Sequence, residues 1–331
     1  MTRSAGPPPR LPIEFLDDAV FGSAPQGRKA HASHLLRRAA RALGWPEEVK
    51  ALTRLGDGLT YETFAARIAG QDVVVRIPHG DDPGEQCRLA RATGRLLEDI
   101  ARLPLPFERP RTLVLIDTPD GIACVQTRLF GVPLWHTSGP RAFTKLCRDP
   151  WAHVGPAAAA IHALDPALGQ ELPTRYATRR AHGLLMAEPI ARAEDQAPYM
   201  PEVAAWIREN LPPATPSRVV HGDLLGQNVL YPQGGGPIGV IDWEAARLGD
   251  PAYDLAIITR GRRKPFGYAD GQQRLLDAYN ERAQSPLSAN DVRFYELCLM
   301  AAWILDSAGE NVASDYRRRG AALWKRVQTG T

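Results

Sequence analysis

The 331 residues carry 40 basic and 37 acidic side chains, a formal net charge of +3, and 44% of them are hydrophobic. That balance gives no electrostatic case for a nucleic-acid or membrane partner, and the apolar fraction is that of a globular chain large enough for one big domain or two lobes. Cys87, Cys124, Cys147 and Cys298 stand far apart, with no CxxC pair, which excludes a disulfide framework or a zinc cluster and fits a reducing compartment. The N-terminal stretch lacks the apolar core of a secretory signal, and no apolar run approaches the roughly 20 residues that cross a bilayer. A soluble cytoplasmic protein is the expectation.

Residues 1–28, with Pro7-Pro8-Pro9 and no sustained periodicity, read as a flexible leader. From Lys29 to Trp45, the spacing of Leu35, Leu36, Ala39, Ala40 and Leu43 predicts an amphipathic helix closed by Gly44. The period then changes. KALTRLG, TYETFAARIA and DVVVRIP read as strands, a helix follows over about 85–100, and RTLVLID and GIACVQTRL read as two further strands. After Gly131-Val132-Pro133 the pattern turns helical, with helices near 140–148, 151–164, 176–187, 200–210, 269–284, 288–308 and 310–327. One strand-rich segment interrupts them, RVVHGDLLGQNVLY and PIGVIDW around the turn Pro232–Pro237. The expected class is α+β. A β-rich lobe spans 29–130 and a larger α-helical lobe 131–331, joined by a connector at Gln126–Gly131.

The chemistry concentrates in His221-Gly222-Asp223-Leu224-Leu225-Gly226-Gln227-Asn228, followed by Ile241-Asp242-Trp243. An Asp on a loop, an Asn five positions later at the start of one strand, and an Asp ending the antiparallel partner strand bring a base and two oxygen ligands to one place. Phosphoryl transfer needs that set: a carboxylate to orient and deprotonate the attacking hydroxyl, and oxygen ligands for Mg²⁺ against a triphosphate. With residue frequencies taken as independent, H-G-D-x-x-x-x-N arises in about one chain in a thousand of this composition. A metal-dependent hydrolase using His221, Asp223 and Asp242 is a rival reading, but it leaves Asn228 unexplained.

HGDLLGQN followed by IDWEAARLGDPAYDLA resembles the aminoglycoside phosphotransferase family, small-molecule kinases with a bilobal protein-kinase-like fold. DVVVRIP and AAAAIHALD extend the resemblance to roughly residues 35–310. The resemblance implies that Asp223 is the catalytic base, that Asn228 and Asp242 are the magnesium ligands, and that His221 supports the catalytic loop. It also implies ATP or GTP as donor and a small-molecule hydroxyl as acceptor, such as an aminoglycoside, a macrolide or a metabolic alcohol. Arg76 stands where kinases carry the lysine that pairs with the α- and β-phosphates. The alternative is an edge-of-sheet arginine in a surface ion pair, and in the phosphate-pairing role its helix partner is Glu85.

Gly56-Asp57-Gly58 is either a phosphate-covering turn or a plain hairpin turn, since it lacks the G-x-G-x-x-G spacing. Asp250 and Asp254 are expected to cap and anchor the next helix. Only seven residues separate Asp242 from Asp250, which leaves no activation segment for a protein substrate and favours a small acceptor. Tyr295, Trp303, Asp306 and Glu310 are candidate acceptor-lining residues, while the helical spacing of Phe294, Leu297, Leu299, Met300, Trp303 and Ile304 favours a core role for most of that helix. A non-catalytic nucleotide-binding module is the second rival. The basic clusters Arg260–Lys264 and Arg317–Arg319 are read as solvated helix ends.

Overall fold

The computed structural model describes residues 13–14, 25–57, 60–79, 82–134, 147–307 and 310–330. They fall into two compact units, one of residues 1–103 and 109–129, the other of residues 104–108 and 130–331.

The first unit is built on a six-stranded sheet. Its strands are β1 (Ile13–Glu14), β2 (Val49–Asp57), β3 (Tyr61–Ile68), β4 (Gln71–Pro78), β5 (Thr112–Thr118) and β6 (Gly121–Thr127), in spatial order β1-β5-β6-β4-β3-β2. All pairings are antiparallel except β1 with β5. Side chains alternate across the sheet. Val73, Val75 and Ile77 of β4 face helix α1 (Pro25–Ala42), whose Leu35, Leu36, Ala39 and Ala40 are fully buried. Truncating either leucine would cost about 2–5 kcal/mol. Leu115, Ile122 and Cys124 pack on the opposite face against Ala90 of helix α2 (Pro83–Ile100). Pro83 opens α2 without losing a hydrogen bond, and the Asp82 carboxylate caps it by accepting the Glu85 N–H at 2.9 Å.

The second unit is mainly helical. It holds α3 (Trp151–His162), α4 (Arg179–Arg192), α5 (Met200–Glu209), α6 (Pro251–Thr259), α7 (Gly271–Asn280), α8 (Ala289–Leu305) and α9 (Glu310–Thr329). Two small sheets accompany the helices. β9 (Val229–Tyr231) lies between β10 (Gly239–Val240) and β7 (Val132–Pro133), and β8 (Arg218–Val220) pairs with β11 (Arg247–Gly249). None of the described helices is long and apolar enough to cross a membrane.

Three expectations are revised. Ile13–Glu14 and the first turn of α1 fall inside the stretch read as a leader, because the leader prediction saw only composition and not pairing with β5. Residues 104–108 join the second unit, since Glu108 donates its N–H to Ile238 and accepts that of Val240. α4 runs to Arg192, beyond the predicted end at 187. Of the helix predicted over 140–148, residues 140–146 lie outside the described residues, and Cys147 and Arg148 are not helical.

Candidate active site

The catalytic loop leaves β8 at Val220 and is shaped by its backbone. Gly222 adopts φ +79, and a Cβ there would lie 2.0 Å from the Ala245 carbonyl oxygen, so only glycine fits. The Asp254 carboxylate, on α6, fixes this turn. Its Oδ2 accepts the His221 N–H at 2.8 Å, and its Oδ1 accepts the Gly222 N–H at 2.9 Å. His162 of α3 donates from Nε2 to the same Oδ2 at 3.0 Å and accepts the Tyr279 hydroxyl at Nδ1, also at 3.0 Å. Burial raises the Asp254 pKa, but the His162 hydrogen bond and the charges and amides around it outweigh burial. The carboxyl is therefore held below the usual aspartate range.

His221 is fully buried, and both ring nitrogens are occupied by backbone. Nε2 donates to the Ile241 carbonyl at 3.0 Å and Nδ1 accepts the Asp223 N–H at 3.3 Å. The ring also meets Trp243 edge-on at 4.8 Å. His221 is thus a positioning residue joining the loop to the following hairpin. Both ring nitrogens are engaged with the backbone of the loop and the hairpin, so the ring ties the two together.

Asp223 and Asn228 are brought together as their spacing predicts. A short 3-10 turn, Gly226–Asn228, folds the loop back, and Asn228 Nδ2 donates to Asp223 Oδ2 at 2.8 Å and to the Asp223 carbonyl at 2.9 Å. With its N–H groups on Asp223, the Asn228 Oδ1 is left as an acceptor. The hairpin of β9 and β10 then sets the third residue. Val240 pairs with Val229, and the Ile241 N–H reaches the Asn228 carbonyl at 2.9 Å, so Asp242 emerges at the same end as Asn228. Asp242 has left-handed backbone angles (φ 66, ψ 59), uncommon for a non-glycine residue and tolerated best by Asp and Asn. Trp243 holds that turn, buried against Phe107 with its indole N–H on the Val240 carbonyl at 3.0 Å.

The Asp223 carboxyl is raised above the ordinary aspartate range, mainly by burial and further by the negative charge of Asp242. A base raised this way takes a proton more readily than a free aspartate. For a cation, the donors on offer are the Asn228 Oδ1 and the Asp242 carboxylate. This sparse oxygen set fits Mg²⁺, which is bound by one or two protein oxygens with phosphates and water completing its shell.

On the first unit, Arg76 lies in β4 opposite Cys124, with its guanidinium 4.4 Å over the Tyr61 ring. Glu85 does not join it. Glu85 is exposed in the first turn of α2 and makes no ion pair among the described residues. The next residue, Gln86, turns inward instead, donating to the Tyr61 hydroxyl and to the Ile122 carbonyl (3.1 Å) and accepting the Ile122 N–H at 2.6 Å. Gly56 sits within β2 opposite Thr63, beside a register shift, and not in a turn between strands. Gly58 lies outside the described residues.

Asp250 caps α6 through the Ala252 N–H at 3.0 Å, as expected, whereas Asp254 serves the catalytic loop. Tyr295 is fully buried among His182, Tyr253 and Phe294 and lines nothing. Asp306 is exposed, and the Glu310 side chain lies outside the described ones. Sequence reasoning missed His162 and Trp243 as parts of the site; the only signal for His162 was its place in AAAAIHALD.

A buried carboxylate on a braced loop with an Asn–Asp pair beside it, on this α+β framework, is the arrangement expected of a kinase-like phosphotransferase. Residues 51–295 match the model of the phosphotransferase enzyme family, APH, and the chain belongs to that family. A 49-residue stretch is 51% identical to viomycin phosphotransferase of Streptomyces vinaceus, covering 14% of this chain and 17% of that protein. Another, of 72 residues, is 36% identical to acyl-CoA dehydrogenase family member 11 of Gallus gallus, covering 21% of this chain and 9% of that one. The matches thus span less than a fifth of either relative. Among solved structures, macrolide 2'-phosphotransferase MphH from Brachybacterium faecium superposes with a TM-score of 0.64 at 21% identity, over 87% of this chain and 97% of that one. The ternary complex of a thermostable APH(4)-Ia mutant with ADP and hygromycin B gives 0.61 at 19% identity, over 87% and 97%. These likenesses show the fold.

Proposed function

We propose that this chain moves the γ-phosphoryl group of ATP or GTP, with Mg²⁺, onto a hydroxyl of a small molecule. The observation that carries the reading is the Asp223 carboxylate, raised in pKa and held by Asn228 beside a second carboxylate, Asp242. In the reaction the acceptor oxygen forms a bond to the γ-phosphorus as the bond to the β–γ bridging oxygen breaks. The acceptor proton passes to Asp223, and the electrons of the broken bond leave on the nucleoside diphosphate. Asn228 keeps the base aimed, His221 and Asp254 keep its loop in place, and the Asn228 Oδ1 and Asp242 are the groups that would hold the cation. When bound, Mg²⁺ supplies neutralisation of the phosphate charge. Arg76 is proposed to face the α- and β-phosphates. The nucleotide complexes known for proteins of this fold, such as that with ADP and hygromycin B, support a nucleotide donor. A cytoplasmic setting goes with this reading, as do four free cysteines.

A non-catalytic nucleotide-binding module is the second reading, favoured by Glu85 standing apart from Arg76. A thermal-shift screen of ATP and GTP with Mg²⁺, followed by nucleoside diphosphate release against a panel of hydroxyl compounds, separates the two. Acceptor-dependent diphosphate release supports phosphotransfer. Nucleotide binding without it, in a protein whose Asp223→Asn variant binds equally well, supports the module.

A further inference from the structure

In β4, Val73, Val75 and Ile77 turn to α1, so strand alternation sends Arg76 to the opposite face of the sheet. Arg76 pairs there with Thr63 of β3 on one side and with Cys124 of β6 on the other. Tyr61 stands two residues before Thr63 and shares that face, which makes it the diagonal neighbour of Arg76. The Arg76 guanidinium lies 4.4 Å from the centre of the Tyr61 ring, and the ring is buried. A cation over the face of a buried ring is attracted by its negative π-cloud with little screening from water.

The ring is itself held, by the first turn of α2. Gln86 is buried, and its Nε2 donates both to the Tyr61 hydroxyl oxygen and to the Ile122 carbonyl, the latter at 3.1 Å. Its Oε1 accepts the Ile122 N–H at 2.6 Å. One amide thus grips both backbone groups of a β6 residue and has one donor left for the tyrosine. The neighbouring glycine makes room for it: Gly121 has φ +126, and a Cβ there would lie 2.1 Å from Gln86 Oε1. A glutamate in the same place could accept from Ile122 but could donate neither to its carbonyl nor to Tyr61. The inward position of α2 therefore calls for an amide, while the acid beside it, Glu85, stays exposed.

Arginine suits the other end of this chain of contacts. A guanidinium lies on a ring by its flat face and donates from its edges, which a lysine ammonium cannot do.

Resting on the nucleotide-donor part of the reading above, we infer that Tyr61 and Gln86 are positioning residues for the donor's phosphates. Gln86 fixes the Tyr61 ring, the ring fixes the Arg76 guanidinium, and the guanidinium donates to the α- and β-phosphates. An uncharged, stacked relay takes the role that an ion pair between a strand cation and a helix carboxylate has in protein kinases.

The test measures binding of ATP or GTP with Mg²⁺ and, by competition, of the matching nucleoside, with no acceptor present. Tyr61→Leu is expected to weaken the triphosphate about tenfold and to leave the nucleoside unchanged, while Tyr61→Phe, which keeps the ring, retains most of the affinity. Gln86→Met should weaken the triphosphate several-fold in the wild type and not at all beside Tyr61→Leu, since it acts through the ring. Tyr61→Leu should likewise add nothing to Arg76→Ala. Equal losses for triphosphate and nucleoside overturn the inference, as do additive losses in the double variants or an unchanged triphosphate affinity in Arg76→Ala. If Tyr61→Leu does not fold, Gln86→Met is read against Arg76→Ala: no further loss upholds the relay and additive losses overturn it. A wild type that binds no triphosphate overturns it as well. Absence of acceptor-dependent diphosphate release, by contrast, strikes the phosphotransfer reading alone, because the binding series is read without an acceptor.

Discussion

His162 and Asp254 meet at 3.0 Å in the interior of the second unit, where Asp254 has no solvent exposure. The same carboxylate carries two amides of the catalytic loop, so the pair joins α3 and α6 to the base. Asp254→Ala strands His162 and two backbone donors and is expected to cost about 3–5 kcal/mol. Urea denaturation at pH 7 measures this. The sign follows from a lowered carboxyl: the contribution is present above the unfolded aspartate pKa and is lost as pH falls through the lower folded value. Wild type and Asp254→Asn should therefore converge only in strong acid.

Asp223→Ala and Asp242→Asn are each expected to lower kcat by about 10²–10⁴ with the fold retained. Asp223→Asn should melt no lower than wild type, because burial already favours the neutral form at that position. Steady-state kinetics with far-ultraviolet circular dichroism checks both. Full turnover in either variant would remove that residue from the site.

The raised Asp223 carboxyl sets the acid limb of the rate profile. A base must be ionised, so kcat/KM should fall as pH drops through a midpoint above the ordinary aspartate range. A pH series between about 3 and 8 reads it; a limb at or below the free aspartate value contradicts the burial described for this group.

Gly222→Ala should unfold the loop more than any exposed substitution near it. Its Cβ would strike the Ala245 carbonyl oxygen, and φ +79 is strained for alanine. Activity is expected to be lost with a Tm reduced by several degrees, the size of shift that about 1–3 kcal/mol produces.

His182 stands for acid sensitivity away from the chemistry. It is fully buried, stacked on Tyr176 at 4.6 Å, and accepts the Asp250 N–H at Nδ1 at 2.9 Å. Burial, with Arg247 adding, lowers its pKa from 6.5 to about 3. The unfolded chain takes a proton below pH 6.5 that the folded chain refuses until about pH 3. This residue alone should then remove about 2–3 kcal/mol of stability between pH 6 and pH 4. Denaturation at the two values, in wild type and His182→Asn, should show a smaller loss in the variant.

Asp223, Asn228 and Asp242 were legible because their chemistry demands particular residue types at spacings that a loop and a hairpin impose. The strands β3 and β4 were legible from alternation. The support of the site was not, because its partners are remote: His162 and Asp254 are 92 residues apart, and His162 and Tyr279 are 117 apart. The same holds for Arg319 and Arg260, separated by 59 residues, which turned two apparent helix ends into one cluster. Glu85 failed by a single position, since a helix start shifted by one residue exchanges the inward side chain, here Gln86. Gly56 failed because a bulge in β2 carries the strand past the glycine.

Every residue of α6 from Pro251 to Thr259 is buried, so this helix has no slack. One end holds the His221–Gly222 turn and the other is pinned by the buried Glu296 carboxylate. A substitution anywhere along α6 is therefore felt at the loop that carries Asp223.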